Sequence, residues 1–163
     1  MPERRLLPYG LAVAVFVIDR ITKSIIEHHV SFSDTFTVIP GFFDIVHSQN
    51  RGVAFGLFHD STSPWHSLLL VGFSLVALGV IGGMLWRPSK LDRSTRIGLA
   101  LILGGAAGNV FDRVVAGKVT DFLELYLGDF HWPTFNLADT AIVIGSGLLL
   151  IDLLRPKRQP ART

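Results

Sequence analysis

The chain has no cysteine among its 163 residues. That excludes disulfides, a thiol nucleophile and zinc–thiolate centres together. Charge is also scarce. Asp, Glu, Lys and Arg make up 17% of the residues, where a soluble domain carries about 25%. There is no G-x-x-x-x-G-K-[ST] phosphate loop, no H-E-x-x-H zinc motif and no G-x-S-x-G nucleophile elbow. The six histidines (His28, His29, His47, His59, His66, His131) are scattered, and Ser146 lies in a "GSG" deep within an apolar run. No metal and no cofactor is expected. Repeats, low-complexity tracts and Gly/Ser linkers are missing too, so residues 1–163 are expected to form one domain.

What the chain has instead is apolar bulk: 49% hydrophobic residues and a mean hydropathy of +0.46. A hydrocarbon core about 30 Å thick needs roughly 20 mostly apolar residues in a helix. Four stretches qualify, at about 6–26, 66–86, 97–115 and 137–154. They are joined by a long link (27–65), a short basic one (87–96) and a medium one (116–136). The expected fold is an all-α polytopic membrane protein with four transmembrane helices.

The basic residues orient it. Arg4 and Arg5, then Arg87, Lys90, Arg93 and Arg96, then Arg155, Lys157, Arg158 and Arg162 fall on one side if four helices cross in succession. The two larger links carry only Arg51 and Lys118. By the positive-inside rule both termini are expected in the cytoplasm and the larger links outside. Nothing in this distribution resembles a nucleic-acid surface, since the basic residues flank helices and are not interleaved with aromatics. Arg4-Arg5 before an apolar run also suits a cleavable signal peptide. No small-x-small site precedes His28, however, and the run continues through "ITKSII", so helix 1 is expected to be retained.

The long link "FTVIPGFFDIVHSQNRGVAFGLF" is rich in β-branched and aromatic residues and is broken at Pro40-Gly41 and Asn50-Arg51-Gly52. It predicts short strands joined by turns, a small sheet lying on the outer membrane surface. Its Gly-flanked, aromatic part around residues 50–59 is expected to move.

Ionisable residues beside membrane helices suggest function by default, and here they gather at the outward ends of helices 1, 3 and 4. Asp19 and Lys23 are spaced for an i,i+4 ion pair, whose simplest role is to make burial tolerable. In "GGAAGNVFDRV", Gly104 and Gly108 suit close helix packing. Asn109 and Arg113 share a face, with Asp112 beside them; a snorkelling Arg–Asp pair and a hydrogen-bonded support for a site are both open. Asp121 in "KVTDFLEL" and Asp139 in "FNLADT" are 18 residues apart, across a link that must double back at one membrane surface. A helix–turn return would bring them face to face. Taken alone, Asn136 and Asp139 read as an N-cap and an acid favoured by the helix dipole, and Asp121 as an ordinary loop acid.

Together these residues resemble the lipoprotein signal peptidase family, bacterial signal peptidase II. The matching pieces run through nearly the whole chain: Asp19-x-x-x-Lys23, Asn50-x-Gly52, "GGAAGNVFDR", Val119-x-Asp121-Phe122 and "FNLAD". Arg51 and Thr120 occupy variable positions of those motifs. The resemblance implies an intramembrane aspartic endopeptidase of the bacterial inner membrane, active toward its outer, periplasmic face. It would remove the signal peptide of diacylglyceryl-modified prolipoproteins by cleaving before the lipidated cysteine of the lipobox. It implies Asp121 and Asp139 as the catalytic pair. Asp19, Lys23, Asn50, Gly52, Asn109, Asp112, Arg113, Asn136 and Ala138 are implied as substrate-binding or supporting residues. It further implies a periplasmic β-cradle with a short surface helix within residues 30–63, a monomer, membrane lipids as surroundings and globomycin-type inhibitors.

Two other classes compete. A proton-coupled transporter would place its carboxylates near mid-bilayer, often within internal repeats, and neither is seen. A purely structural helix bundle leaves the pairing of Asp121 with Asp139 unexplained.

Overall fold

The computed structural model describes residues 3–52, 64–86 and 91–155. Four long helices make the frame: α1 (Glu3–His29), α2 (Pro64–Trp86), α3 (Arg93–Ala116) and α4 (Leu137–Leu154). Three of the described helices are long and apolar enough to cross a membrane: Leu68–Trp86, Arg93–Ala116 and Leu137–Leu154. α2 buries only 6% of its apolar window. Most of its apolar surface is left uncovered by the described residues, which is how a lipid-facing helix reads. α1 is as long as the others but interrupted by Asp19, Arg20 and Lys23, all within five positions.

α3 is the central helix and packs against α1, α2 and α4. Its small residues explain how. A Cβ on Gly104 would run into the Ala12 carbonyl and Val15 of α1, and one on Gly105 into the Ala138 carbonyl and Ile142 of α4. Gly98 and Gly145 face each other's backbone across the α3–α4 contact in the same way. In a bilayer, where lipid tails are as apolar as leucine, such backbone proximity is a main source of helix association.

At one end of the bundle lies a four-stranded antiparallel sheet ordered β1-β2-β3-β4, with β1 (Thr35–Ile39), β2 (Phe43–Asn50), β3 (Val119–Leu127) and β4 (Phe130–His131). The β1–β2 turn falls at the expected Pro40-Gly41, with Gly41 at φ 77°, a backbone state that glycine adopts without penalty. β1 is exposed along its whole length, whereas the first four residues of β3, Val119 to Phe122, are buried. A register shift between Ile45 and Ser48 in β2 sets Ser48 opposite Asp121.

Two expectations change. The small sheet expected for the long link is present as β1 and β2, and "all-α" is too narrow a label for a fold that holds it. The 116–136 link returns not by a helix and turn but as β3 and β4. Its "VTDFLELYL" favours a strand through β-branched and aromatic residues, and Gly117 (φ 70°) ends α3 immediately before it. The helix borders differ modestly: α1 begins at Glu3 and ends at His29, α2 begins at Pro64, α3 spans Arg93–Ala116, and α4 matches its expected bounds. No short helix occurs in the described part of 30–63; residues 53–63, and with them most of the stretch expected to move, lie outside the described residues.

Candidate active site

Where the sheet meets the helix ends, charge is buried that the bilayer could not tolerate uncompensated. Asp19, Lys23 and Asn136 are each 0% exposed and Asp121 is 2% exposed. The site is built around them.

Asn136 is the N-cap of α4. Its side-chain oxygen accepts from the Asp139 backbone N–H at 2.9 Å, and the Asp139 carboxylate accepts from the Asn136 N–H at 3.3 Å. This is a capping box, so the cap reading holds. The same asparagine has a second task, because its Nδ2 donates to Asp121 Oδ1 at 2.7 Å. One residue therefore touches both carboxylates of interest, Asp121 through its side chain and Asp139 through its backbone N–H.

Each carboxylate has a further amide partner. Asn50 Nδ2 donates to Asp121 Oδ2 at 3.2 Å from the end of β2. Asn109 Nδ2 donates to Asp139 Oδ1 at 2.8 Å from α3. Asn109 Oδ1 in turn accepts from Lys23 Nζ at 3.0 Å and from Asn136 Nδ2 at 3.2 Å. That arrangement fixes the amide's orientation, since a flipped Asn109 would point a donor at an ammonium.

Lys23 sits between two acids, with Asp19 Oδ2 at 2.8 Å and Asp112 Oδ2 at 2.7 Å, the latter as an ion pair off the hydrogen-bond direction. Asp19 spends its other oxygen on the Ala138 N–H at 3.0 Å, and so holds the first turn of α4. Gly108 makes room for this carboxylate, since a Cβ there would collide with Asp19 Oδ2. Arg113, in the last turn of α3, donates to the Gly52 carbonyl at 3.0 Å and to the Asn109 carbonyl at 3.3 Å. The Gly52 N–H donates to Asn50 Oδ1 at 2.8 Å, which closes the ring from β2 back to α3.

All eleven residues singled out from the sequence thus belong to one connected polar cluster, drawn from α1, α3, α4, β2 with the turn after it, and β3. Two members were missed. Arg20 pairs with Asp112 and lies over the Phe111 ring, 5.0 Å from its centre. Glu27 accepts from the Thr120 hydroxyl at 2.6 Å. Glu27 had a signal: Asp19, Lys23 and Glu27 follow at i, i+4 and i+8 on one helix face. Arg20 had none, because its partner lies 92 residues away.

Burial pushes the Asp121 carboxyl up to about 6, and the neighbouring charge of Asp139 adds to the rise. Hydrogen bonds from Asn50 and Asn136 and the charge of Lys23 act against it. A carboxyl of this kind holds a proton at mildly acidic pH and releases it near neutrality, as a general acid must. Beside Asp139 opens an apolar cavity of about 290 Å³, walled by Leu125, Trp132, Phe135, Val143 and Ile144 among others. The cluster thus sets one buried carboxyl, Asp121, and one half-buried carboxyl, Asp139, beside a space suited to an apolar ligand.

Known proteins resemble this chain in sequence and in fold. A family model described as signal peptidase (SPase) II matches residues 11–155. The chain is 62% identical over 161 residues to a lipoprotein signal peptidase of Solibacter usitatus, covering 99% of this chain and 98% of that one. It is 37% identical over 147 residues to a lipoprotein signal peptidase of Maridesulfovibrio salexigens, covering 90% and 94%. A solved bacterial membrane enzyme superposes with a TM-score of 0.83 at 28% identity, covering 96% of this chain and 94% of that one.

Proposed function

The chain belongs to the signal peptidase II family, and from that premise we propose that it is an intramembrane aspartic endopeptidase acting on diacylglyceryl-modified prolipoproteins. It cleaves the signal peptide just before the lipidated cysteine, with Asp121 and Asp139 as its catalytic pair. The observation that carries this reading is the single Asn136 side chain bonded to both carboxyl-bearing residues, at 2.7 Å to Asp121 and 2.9 Å to the backbone of Asp139.

The charge of Asp139 raises the Asp121 carboxyl, and in this reading the two carboxyls share one proton because both cannot ionise cheaply. The ionised member draws a proton from a water, which attacks the scissile carbonyl. The protonated member donates to the carbonyl oxygen and then helps the amine leave. The pair titrates as a unit. Asn109, Asn136 and Arg113 orient the carboxyls and polarise the carbonyl. Asp19, Lys23, Asp112 and Arg20 form the charge-neutral brace beneath, and Asn50 and Gly52 tie β2 to Asp121. The apolar cavity at Asp139 suits a substrate whose acyl chains stay in lipid while its peptide bond meets water.

The domain is a single integral-membrane unit with α1 as a fourth span. α1 turns Val13, Val17, Ile18, Ile21 and Ile25 outward at 43–60% exposure while Asp19 and Lys23 point inward. Its 27 residues span about 40 Å at 1.5 Å each. The distribution of Lys and Arg supports cytoplasmic termini in the inner membrane, with the sheet and carboxyls on the periplasmic face. Prolipoproteins are the substrates, globomycin-type compounds the inhibitors, and a monomer the working unit.

The test uses protein purified in detergent and one prolipoprotein prepared with and without its diacylglyceryl group. Mass spectrometry should find cleavage immediately before the lipidated cysteine and little of the unmodified form cut. Cleavage elsewhere, or equal rates on both forms, contradicts the proposal.

A further inference from the structure

Glu27, near the end of α1 that meets the sheet, takes no part in the proton transfers of Asp121 and Asp139. It is itself exposed, yet its Oε1 accepts from the buried Thr120 hydroxyl at 2.6 Å. Thr120 immediately precedes Asp121 in β3. The helix end that carries Glu27 is tied down in turn, since the Val30 carbonyl accepts from His47 Nδ1 in β2 at 2.7 Å. A bond from an exposed carboxylate competes with water and adds little to folding. Its position on the strand is the more telling feature.

Successive side chains of a strand point to opposite faces. β3 is therefore held from two sides at adjacent residues: by α1 through Thr120, and by β2 and α4 through the Asp121 carboxyl. The Thr120 carbonyl joins the second set as well. It accepts at 3.5 Å from Asn136 Nδ2, the nitrogen that donates to Asp121 Oδ1 at 2.7 Å. The backbone ladder is irregular at this place. Ser48 is the partner of Asp121, and the register of β2 on β3 shifts between Ile45 and Ser48. Such a shift interrupts the pairing and bends the strand, so the ladder alone fixes Asp121 less firmly than a regular one would.

We propose that Glu27 is a positioning residue for the peptidase reaction. Through the Thr120 hydroxyl it sets the β3 backbone beside the irregular step of the ladder, and so sets the reach of the Asp121 carboxyl toward Asn50 and Asn136. The inference rests on Asp121 as a catalytic group. Among the described residues Glu27 bonds to neither carboxyl of the pair, and it does not line the apolar cavity at Asp139. Its loss therefore disturbs the alignment of the reacting groups and leaves substrate binding intact. A plain staple between helix and strand would affect unfolding alone.

The experiment is steady-state cleavage of a diacylglyceryl-modified prolipoprotein by the full-length protein in detergent, beside thermal unfolding of each preparation. Glu27→Ala and Thr120→Val should each lower kcat about tenfold with KM within about twofold of wild type. The double variant should be no slower than either single one. Glu27→Gln keeps an acceptor oxygen and Thr120→Ser keeps the donor, so each should hold kcat within about threefold of wild type. Wild-type kcat in Glu27→Ala overturns the proposal. So does a Glu27→Gln variant as slow as Glu27→Ala, which would make the charge and not the bond the cause. Losses that multiply in the double variant also overturn it, because the two residues then act separately. Asp121→Asn is assayed in parallel. If it is inactive while Glu27→Ala is unaffected, the positioning role alone is wrong; if it is active, the catalytic reading falls and this inference with it. Should Thr120→Val fail to fold, the alanine and glutamine variants at exposed Glu27 decide alone.

Discussion

Replacing Asn136 by alanine removes two bonds at once. The cap on α4 disappears, because the side-chain oxygen that accepts from the Asp139 N–H at 2.9 Å is gone; losing such a cap costs about 1 kcal/mol. The donor to Asp121 Oδ1 at 2.7 Å disappears as well, and a hydrogen bond to an ionised partner contributes about 1.5–3 kcal/mol. Asn136 is 0% exposed, so water does not readily replace either bond. The combined loss is about 3 kcal/mol, read as a lower denaturation midpoint in detergent. Asn136→Ser keeps a capping oxygen and should recover about 1 kcal/mol of it. The sign on titration follows from the same bonds. The Asn136 donor favours ionised Asp121, so its removal raises a carboxyl that already stands at about 6. The alkaline limb of kcat/KM should therefore move to higher pH, while kcat falls about 100-fold as the pair loses its alignment. The assay is cleavage of a fluorogenic lipopeptide across pH, beside thermal unfolding of the same preparations. An alanine variant with wild-type stability and an unmoved limb would refute the reasoning.

Lys23→Met should destabilise strongly, by about 3–5 kcal/mol, because it strands Asp19 and much of Asp112 without their buried counter-ion; Asp19→Asn in the same chain should restore part of the loss, measured by denaturation in detergent. Gly105→Ala should destabilise by about 1–3 kcal/mol, since the new methyl meets the Ala138 carbonyl and Ile142. Gly79→Ala on α2, where nothing lies within 4 Å, should be neutral or mildly stabilising in the same assay. Asp121 binds its proton more tightly folded than unfolded, so its contribution to stability is fully present below its ordinary value of 3.8 and is lost as pH rises through about 6. The difference corresponds to about 3 kcal/mol. Asp121→Asn should flatten this part of the stability–pH curve, and an unchanged slope would contradict the assigned burial.

The apolar runs made the membrane helices legible, and α4 was read to the residue because Asn136 and the run behind it mark its start unambiguously. The Pro40-Gly41 turn was equally open to reading, since its two residues dictate their own backbone. The β3 return was not. Its strand pairs with β2 across more than 70 residues, as Ser48 opposite Asp121 illustrates, and such partners leave no local pattern. The site divides along the same line. Asp19 and Lys23 announce their pairing by spacing, and Asn136 with Asp139 by the capping pattern. That Asp121 meets them was suggested by the 18-residue link doubling back at one surface and by likeness to a family, because no helix or strand period links it to either. Arg20 escaped notice for that reason too, and Glu27 escaped although it continues the stripe of Asp19 and Lys23. The cap reading of Asn136 proved correct yet incomplete: one amide both starts a helix and bonds the neighbouring acid, and residue-by-residue reading cannot separate the two uses.

The most direct measurement is cleavage of a diacylglyceryl-modified prolipoprotein by purified Asp121→Asn and Asp139→Asn variants, each checked for wild-type-like thermal unfolding at pH 5. Each substitution keeps the side chain's shape and removes its ability to share a proton. Each variant is expected to lose activity to background while remaining folded. Undiminished cleavage by either folded variant would contradict the carboxyl pair as the catalytic centre.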